Sequence, residues 1–315
     1  MSRLRLVFCG TPAFAVLPFQ RLAASPEFEI AAVYTQPDRP RGRGHEVSSS
    51  PLKEAALVAH LPIHQPTKIR LPEVEQHLRT LAPDAIVIIA YGQIIPARLL
   101  DIPRLGWINL HASLLPRYRG AAPINWAIAK GESVTGNTTM RIDAGMDTGE
   151  MLLRQELPIG PDETAPELAA RLSTAGADLM FDTLRGLSTG RITPQPQDHS
   201  AATLAPMLNR EDGLIDWKRP AQEIYNRMRA FTPWPGAYSE FRGQLCHLSG
   251  RAASKHMPDT VPGQILLEAG NVYAACGAAT AFQVAHVKLE GRKQVSASEF
   301  ANGARLQPGE RFGKA

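Results

Sequence analysis

The sequence predicts an α/β protein, with a doubly wound, mostly parallel sheet followed by a smaller β-barrel domain. Three observations predict it. Through the first 188 residues, apolar runs of strand length alternate with amphipathic helical stretches, the pattern of a parallel sheet with helices on its faces. A proline-marked stretch with few large apolar residues then interrupts the alternation at 189–207. Beyond it lie several short β-like runs at close spacing, which suit a small barrel. The expected boundaries are therefore 1–188 for the first domain, 189–207 for a linker and 208–315 for the second domain. A chain of 315 residues is long enough for two cores.

Residues 4–9 read as a buried strand, and Gly10-Thr11-Pro12 as a turn into a helix. Thr11 is the expected N-cap and Pro12 the first helical residue, with Phe14, Val16, Leu17 and Leu22 on the apolar face. A strand at 28–34, helices near 51–59 and 71–81, and strands at 85–90 and 106–111 follow. A helix at 122–130, strands at 137–143 and 151–157, and a long amphipathic helix at 164–187 complete the domain. The second domain opens with a helix at 221–230. Its β runs lie near 237–242, 244–249, 263–267, 271–275 and 281–287. Five short strands fit an OB-like barrel, a common nucleic-acid-binding architecture.

Composition is ordinary for a globular protein, with 44% hydrophobic and 20% charged residues. The net charge of +4 is small, but it lies wholly in residues 201–315, where fourteen Lys and Arg face ten Asp and Glu. That asymmetry fits either a polyanion partner or a solvated surface with a surplus. Three distant cysteines (Cys9, Cys246, Cys276) form no C-x-x-C pattern, which points away from a disulfide framework or zinc site. The first apolar run is too short for a signal peptide and the longest, 85–91, too short for a bilayer span. A cytoplasmic protein that meets no membrane is expected, and nothing demands an oligomer, so a monomer is the default. His60 and His64 have a helical metal-ligand spacing, but Pro62 breaks the helix between them, and no metal is expected.

The most informative stretch is 107–120, WINLHASLLPRYRG. Asn109 and His111 sit two apart at the end of an apolar strand, so their side chains share one face and converge. Strand ends that run into such loops are where open α/β sheets hold ligands. Taken alone, such a pair is more commonly a buried polar pair satisfying loop backbone groups. A second element, 142–150 with sequence IDAGMDTGE, adds Asp147 in a Gly- and Thr-rich turn between two strands. An amide, an imidazole and a carboxylate are the parts needed for acyl transfer without a protein nucleophile. The first two would stabilise the oxyanion, and the carboxylate would orient the imidazole and manage protons.

The runs HASLLPRYRGAAPINWAI, GNTTMRIDAGMDTGEML, TQPDRPRGRG and RAFTPWPGA resemble the formyltransferase family, and the likeness covers essentially the whole chain. RAFTPWPGA and the basic loop narrow it to the tRNA-acting branch. The resemblance implies a Rossmann-like core and a tRNA-binding OB-like domain. It implies transfer of a formyl group from 10-formyltetrahydrofolate to the α-amine of methionine on initiator tRNA. Asn109, His111 and Asp147 correspond to the family's catalytic trio. Ser113, Leu114, Leu115 and Pro116 correspond to its folate-binding loop, and Tyr91 and Gly92 to the wall around the pterin. Arg39, Arg41 and Arg43, in a Gly- and Ser-rich loop at 37–50, correspond to its tRNA-binding loop, where guanidinium forks suit phosphate. His45 and Glu46 stand where many relatives carry lysines, which lowers that loop's charge. Asn137 stands where an apolar residue is commoner. The alternatives are another folate-dependent formyltransferase or a formyl hydrolase on the same trio, and a non-catalytic tRNA-binding module.

Overall fold

The structure, a computed structural model, describes residues 3–41 and 46–313, with the main chain alone at 39–41 and 46–47. Arg43 and His45 lie outside the described residues. The chain forms two compact units, one of Met1–Pro123, Val134–Pro158 and Glu167–Pro206, the other of Ile124–Ser133, Ile159–Pro166 and Met207–Ala315. The second unit thus takes two short stretches from within the first half of the sequence.

In chain order the first half carries β1 (Leu4–Gly10), α1 (Val16–Ala23), β2 (Phe28–Tyr34), β3 (Arg39–Arg41), β4 (Glu46–Ser48), α2 (Pro51–Val58), β5 (Ile63–His64) and α3 (Pro72–Leu81). Then follow β6 (Ala85–Ile89), α4 (Ala97–Leu100), β7 (Trp107–His111), α5 (Pro123–Ala129), β8 (Val134–Arg141), β9 (Met151–Pro158) and α6 (Ala165–Ser188). The main sheet has the order β5-β2-β1-β6-β7-β8-β9. Neighbours from β5 to β7 pair parallel, while β8 and β9 run antiparallel. This is the predicted doubly wound, mostly parallel Rossmann-like sheet.

A parallel sheet is buried on both faces, and β1 shows the result in its sequence. Leu6 and Phe8 join Phe19 of α1 and Met180 and Leu184 of α6 in one core, whereas Val7 and Cys9 join Val74 and Leu78 of α3 in the other. Each fully buried side chain of this kind contributes roughly 1.5–3 kcal/mol. Local chemistry starts the helices: Ser50 Oγ accepts from Lys53 N–H ahead of Pro51, and Pro72 opens α3. Three expectations need correction. Thr11 does not cap α1; a short 3-10 turn at Ala13–Ala15 intervenes, and Thr11 Oγ1 instead donates to the Tyr91 carbonyl at 3.2 Å. Leu17 is 41% exposed, because that extra turn rotates it off the core stripe. The stretch expected to be a bare linker packs back on the first unit, where residues 195–205 hydrogen-bond to the loops after β7 and before β9. Its prolines exclude it from helices, yet its backbone groups still need partners.

The second unit contains α5, α7 (Ala221–Ala230), β10 (Tyr238–Phe241), β11 (Gln244–His256), β12 (Ile265–Glu268), β13 (Asn271–Ala275), β14 (Thr280–Leu289), β15 (Val295–Ser296) and α8 (Ala297–Ala304). Its antiparallel sheet has the order β10-β11-β14-β13-β12, with β15 on β14. Strand ladders alone do not close the expected OB-like barrel. The C-terminal stretch 310–313 bonds to both outer strands: Gly313 N–H donates to Glu240 O at 2.8 Å, and Ile265 N–H to Glu310 O at 2.8 Å. Inside lie Trp217, Phe241, Phe282, Phe300 and Phe312, with Trp217 stacked on Phe312 at 5.7 Å between centroids. Trp217 Nε1 donates to Ser239 Oγ at 3.0 Å. Trp234, by contrast, is 56% exposed. All three cysteines are free and buried, and burial pushes the Cys246 and Cys276 thiols up to about 12 and Cys9 higher.

The structure accounts for Asn137. It lies on the face of β8 that meets α6, where its Nδ2 donates to the Leu172 carbonyl at 2.8 Å while its buried Oδ1 has no partner. A buried acceptor without a donor costs about 1–3 kcal/mol, and the Leu172 carbonyl also belongs to the helix ladder. We expect Asn137→Val to leave stability within about 1 kcal/mol of the parent or to raise it. A loss larger than about 2 kcal/mol in chemical denaturation would contradict this account.

Candidate active site

Packing of β7 sets the site. Ile108 and Leu110 lie in the core shared with α6, so alternation puts Trp107, Asn109 and His111 on the opposite face. Trp107 anchors the strand by donating from Nε1 to the Leu99 carbonyl at 2.7 Å. Asn109 is half-buried, and its amide makes no hydrogen bond among the described residues. His111 is 6% exposed, and its Nε2 lies 2.8 Å from the Tyr118 carbonyl. A carbonyl only accepts, so Nε2 carries a hydrogen and Nδ1 is the nitrogen left for chemistry.

Nδ1 faces Oδ2 of Asp147 at 3.6 Å, longer than a hydrogen bond. The two groups lie within ion-pair range without a direct hydrogen bond. Oδ2 of Asp147 also accepts from the Gly120 N–H at 2.8 Å. Asp147 itself has φ +53°, the left-handed region, at a cost on the order of 1–2 kcal/mol for a residue with a Cβ. Its surroundings hold it there. Asp143 Oδ1 accepts from Gly145 N–H at 3.0 Å and from Thr148 Oγ1 at 2.7 Å. Met151 and Gln195 exchange both main-chain bonds, each 2.8 Å. The Gln197 amide donates to the Asp147 carbonyl at 2.9 Å and to the Gly149 carbonyl at 2.7 Å.

Thr138, opposite His111 on β8, pins the loop that leaves the strand. Its Oγ1 donates to the Ser113 carbonyl at 2.7 Å and accepts from Leu115 N–H at 3.1 Å. Ser113 Oγ donates to the Arg117 carbonyl at 2.6 Å, and Leu115 is fully buried. Of the residues expected to bind folate, Ser113, Leu114, Leu115 and Pro116 thus sit on this loop. Tyr91 and Gly92 follow β6, the strand beside β7, and line a cleft of about 360 Å³ at the carboxyl ends of β1, β2 and β6 that Thr11, Gln36 and Ser50 also line. Tyr91 offers its main chain there: its carbonyl accepts from Thr11 Oγ1 and, at 3.0 Å, from Gln36 Nε2, while its ring is buried. Within the 37–50 stretch, β3 and β4 pair antiparallel, with Arg39 opposite Ser48 and Arg41 opposite Glu46. The root of the stretch is held by Gln65, which donates to the Gln36 carbonyl and the Asp38 carboxylate, and by the Lys53–Asp38 ion pair.

Sequence reasoning missed Arg119, Thr138 and Gln197. Arg119 is buried, and its Nε and Nη2 both reach Gln197 Oε1, at 3.0 and 2.6 Å. The only signal available was an arginine inside RYRG and a glutamine in a proline-rich run, with nothing to pair them.

Residues 4–184 match the formyl transferase family, and residues 207–305 match the formyl transferase C-terminal domain. The chain belongs to the formyl transferase family. The methionyl-tRNA formyltransferase of Acidobacterium capsulatum is 50% identical over 311 residues, 98% of this chain and 100% of the relative. That of Solibacter usitatus is 51% identical and covers 99% of each chain. Among solved structures, the N-formyltransferase from Helicobacter canadensis, in complex with folinic acid and dTDP-3-aminofucose, shares the fold. Its TM-score is 0.63 at 17% identity, covering 89% of this chain and 98% of that one. Among the described residues of this formyl transferase, no helix is long and apolar enough to cross a membrane, and no His/Cys/Asp/Glu group could hold a metal ion.

Gly120 supplies a test of the site's backbone. Its φ is +120°, and a Cβ there would lie 2.7 Å from the Ala205 carbonyl. Gly120→Ala is expected to destabilise the formyl transferase by roughly 1–3 kcal/mol and to lower turnover at the same time. An unchanged denaturation midpoint would show that the loop relaxes freely.

Proposed function

We propose that this protein is a methionyl-tRNA formyltransferase that moves the formyl group of 10-formyltetrahydrofolate onto the α-amine of methionine carried by initiator tRNA. The observation that carries this reading is identity of about half, over the full length of both chains, to relatives bearing that name. The apposition of His111 and Asp147 beside a strand-mate amide supports it with chemistry. In the reaction the amine attacks the formyl carbon, a tetrahedral oxyanion forms, and the bond to N10 of the folate breaks as N10 takes a proton. The amine is the nucleophile, so the site needs none of its own, in keeping with three buried thiols held far from ionisation.

Each residue then has a role. The free amide of Asn109 donates to the oxyanion, and His111 donates to it from Nδ1 when that nitrogen is protonated. Nε2 stays committed to the Tyr118 carbonyl, which fixes the ring. Asp147, across the 3.6 Å gap from Nδ1, steadies the imidazolium and receives the proton the amine loses. The loop of Ser113, Leu114, Leu115 and Pro116, with the main chain at Tyr91 and Gly92, holds the folate. The first unit is the catalytic domain. Arg39, Arg41 and Arg43 and the stretch 201–315 hold the tRNA, as the surplus of positive charge in 201–315 supports. The reaction belongs to the cytoplasm.

The decisive experiment gives the purified protein 10-formyltetrahydrofolate and methionylated initiator tRNA and follows formylmethionine. Formate release without an acceptor would instead identify a hydrolase and overturn this reading. His111→Ala and Asp147→Ala are each expected to lower kcat by at least about a hundredfold while tRNA affinity stays within about twofold. Loss of tRNA binding with kcat preserved would show these roles to be misassigned. For the tRNA itself, the Kd should rise more than about tenfold between about 50 and 200 mM salt, because each phosphate contact releases counterions. Binding that ignores salt would remove the positively charged stretch 201–315 from the contact.

A further inference from the structure

We infer that Gln197 is a positioning residue for Asp147, forming with Arg119 a buried bracket that holds both ends of the Asp147–Gly120 hydrogen bond. The inference rests on the functional reading above for its effect on catalysis, but its structural content stands apart from that reading. The amide of Gln197 has one possible orientation. Its two carbonyl neighbours on one side only accept, and the two Arg119 nitrogens on the other only donate, so Nε2 must face Asp147 and Gly149 and Oε1 must face Arg119. Gln197 and Arg119 are 6% and 7% exposed, and the Gln197 bonds to Arg119 and to the Gly149 carbonyl are buried.

The bracket acts at two points. On one side, Gln197 fixes the carbonyls of residues 147 and 149, and so the left-handed turn from which the Asp147 carboxylate projects. On the other, Arg119 precedes Gly120, whose N–H holds Asp147 Oδ2. The main chain of Arg119 is itself fixed, donating to the Thr203 carbonyl at 2.8 Å and accepting from Ala205 N–H at 2.7 Å. Tyr118 N–H, next along, donates to Thr203 Oγ1 at 2.9 Å, and the Tyr118 carbonyl holds His111. One returning segment, 195–205, therefore sets the His111 ring from one end and the Asp147 carboxylate from the other. The gap between them follows from that segment.

Gln197→Glu tests this. It keeps the shape and an oxygen partner for Arg119, but replaces the N–H donors facing Asp147 and Gly149 with an acceptor. Two readouts on the full chain decide the matter: steady-state formyl transfer to methionyl initiator tRNA, and hydrogen exchange of the Gly120 amide. We expect kcat to fall about ten- to a hundredfold with KM for the folate within about twofold. The Gly120 amide should exchange at least about tenfold faster, while amides of β1 and β6 keep their protection. Unchanged Gly120 exchange in the folded variant overturns the inference, as does a kcat within about twofold of the parent. If the parent protein itself transfers no formyl group, the functional reading fails, and Gly120 exchange still decides whether Gln197 positions Asp147. Should Gln197→Glu fail to fold, Gln197→Asn, which keeps an amide but is too short to reach Arg119 and the Asp147 and Gly149 carbonyls at once, is held to the same outcomes.

Discussion

Everything at the site depends on the register of one strand. β7 is gripped on one side by β6, running parallel, and on the other by β8, running antiparallel, with Ile88 and Met140 opposite Asn109. Ile108 and Leu110 are buried in the core that α6 covers. A slip of one residue would put Asn109 and His111 under that helix and expose two aliphatic side chains at the loops. The cost of burying an amide and an imidazole without partners, added to the loss of apolar burial, makes the observed register the only one the sheet accepts. The chemistry is thus specified by packing on the far face of the strand. The same logic orders β8, where Thr138 faces the loop beside His111 while Asn137 and Thr139 turn to α6.

The carboxylate is a different problem, because Asp147 comes from a loop and in a strained conformation. A surface turn of this kind would relax unless held, and what holds it is a segment about fifty residues further along, with Gln197 separated from Asp147 by 50 positions. Burying Arg119 is expensive unless its donors find acceptors, and Gln197 with the neighbouring Nδ1 of His199 takes those of Nε and Nη2. The cost of that burial is the reason the bracket is stiff. Removing either partner would strand a charge or an amide in a dry place rather than merely loosen a loop.

This distinction separates what the sequence made legible from what it did not. Asn109 and His111 could be read because both lie on one strand, where the period of two turns spacing into geometry. Asp147 could be read because Gly145, Thr148 and Gly149 mark its turn. The doubly wound sheet was readable because β6 and the Leu6–Cys9 part of β1 are unbroken apolar runs, as burial on both faces demands. Arg119 and Gln197, 78 residues apart, carry no local period that relates them. The prolines around Gln197 pointed to a linker, since composition reports what a segment cannot form and not what its amides will meet. Thr11 failed as a cap for a similar reason. Its hydroxyl had a better acceptor in the Tyr91 carbonyl, 80 positions away, and no local rule competes with a partner supplied by the fold. The β3–β4 pair escaped notice because its residues carry few apolar side chains, so its pairing rests on main-chain bonds that composition does not reveal.

In the proposed formyl transfer, a site without its own nucleophile must accelerate the reaction by arranging charge, and that places a demand on its walls. The oxyanion is stabilised by donors already aimed, in surroundings where water does not compete. His111 meets this by being nearly inaccessible, with one nitrogen spent on the Tyr118 carbonyl so that the other has a single direction. Asp147 remains 20% exposed, open enough to pass a proton on, and the Gly120 N–H keeps Oδ2 in place as it does so. Were Asp147 to bond Nδ1 directly, the imidazole would be saturated and the oxyanion would find no donor there. On that reading the 3.6 Å spacing leaves Nδ1 to the substrate, and the segment that maintains the spacing serves the proposed mechanism as much as the groups on either side of it.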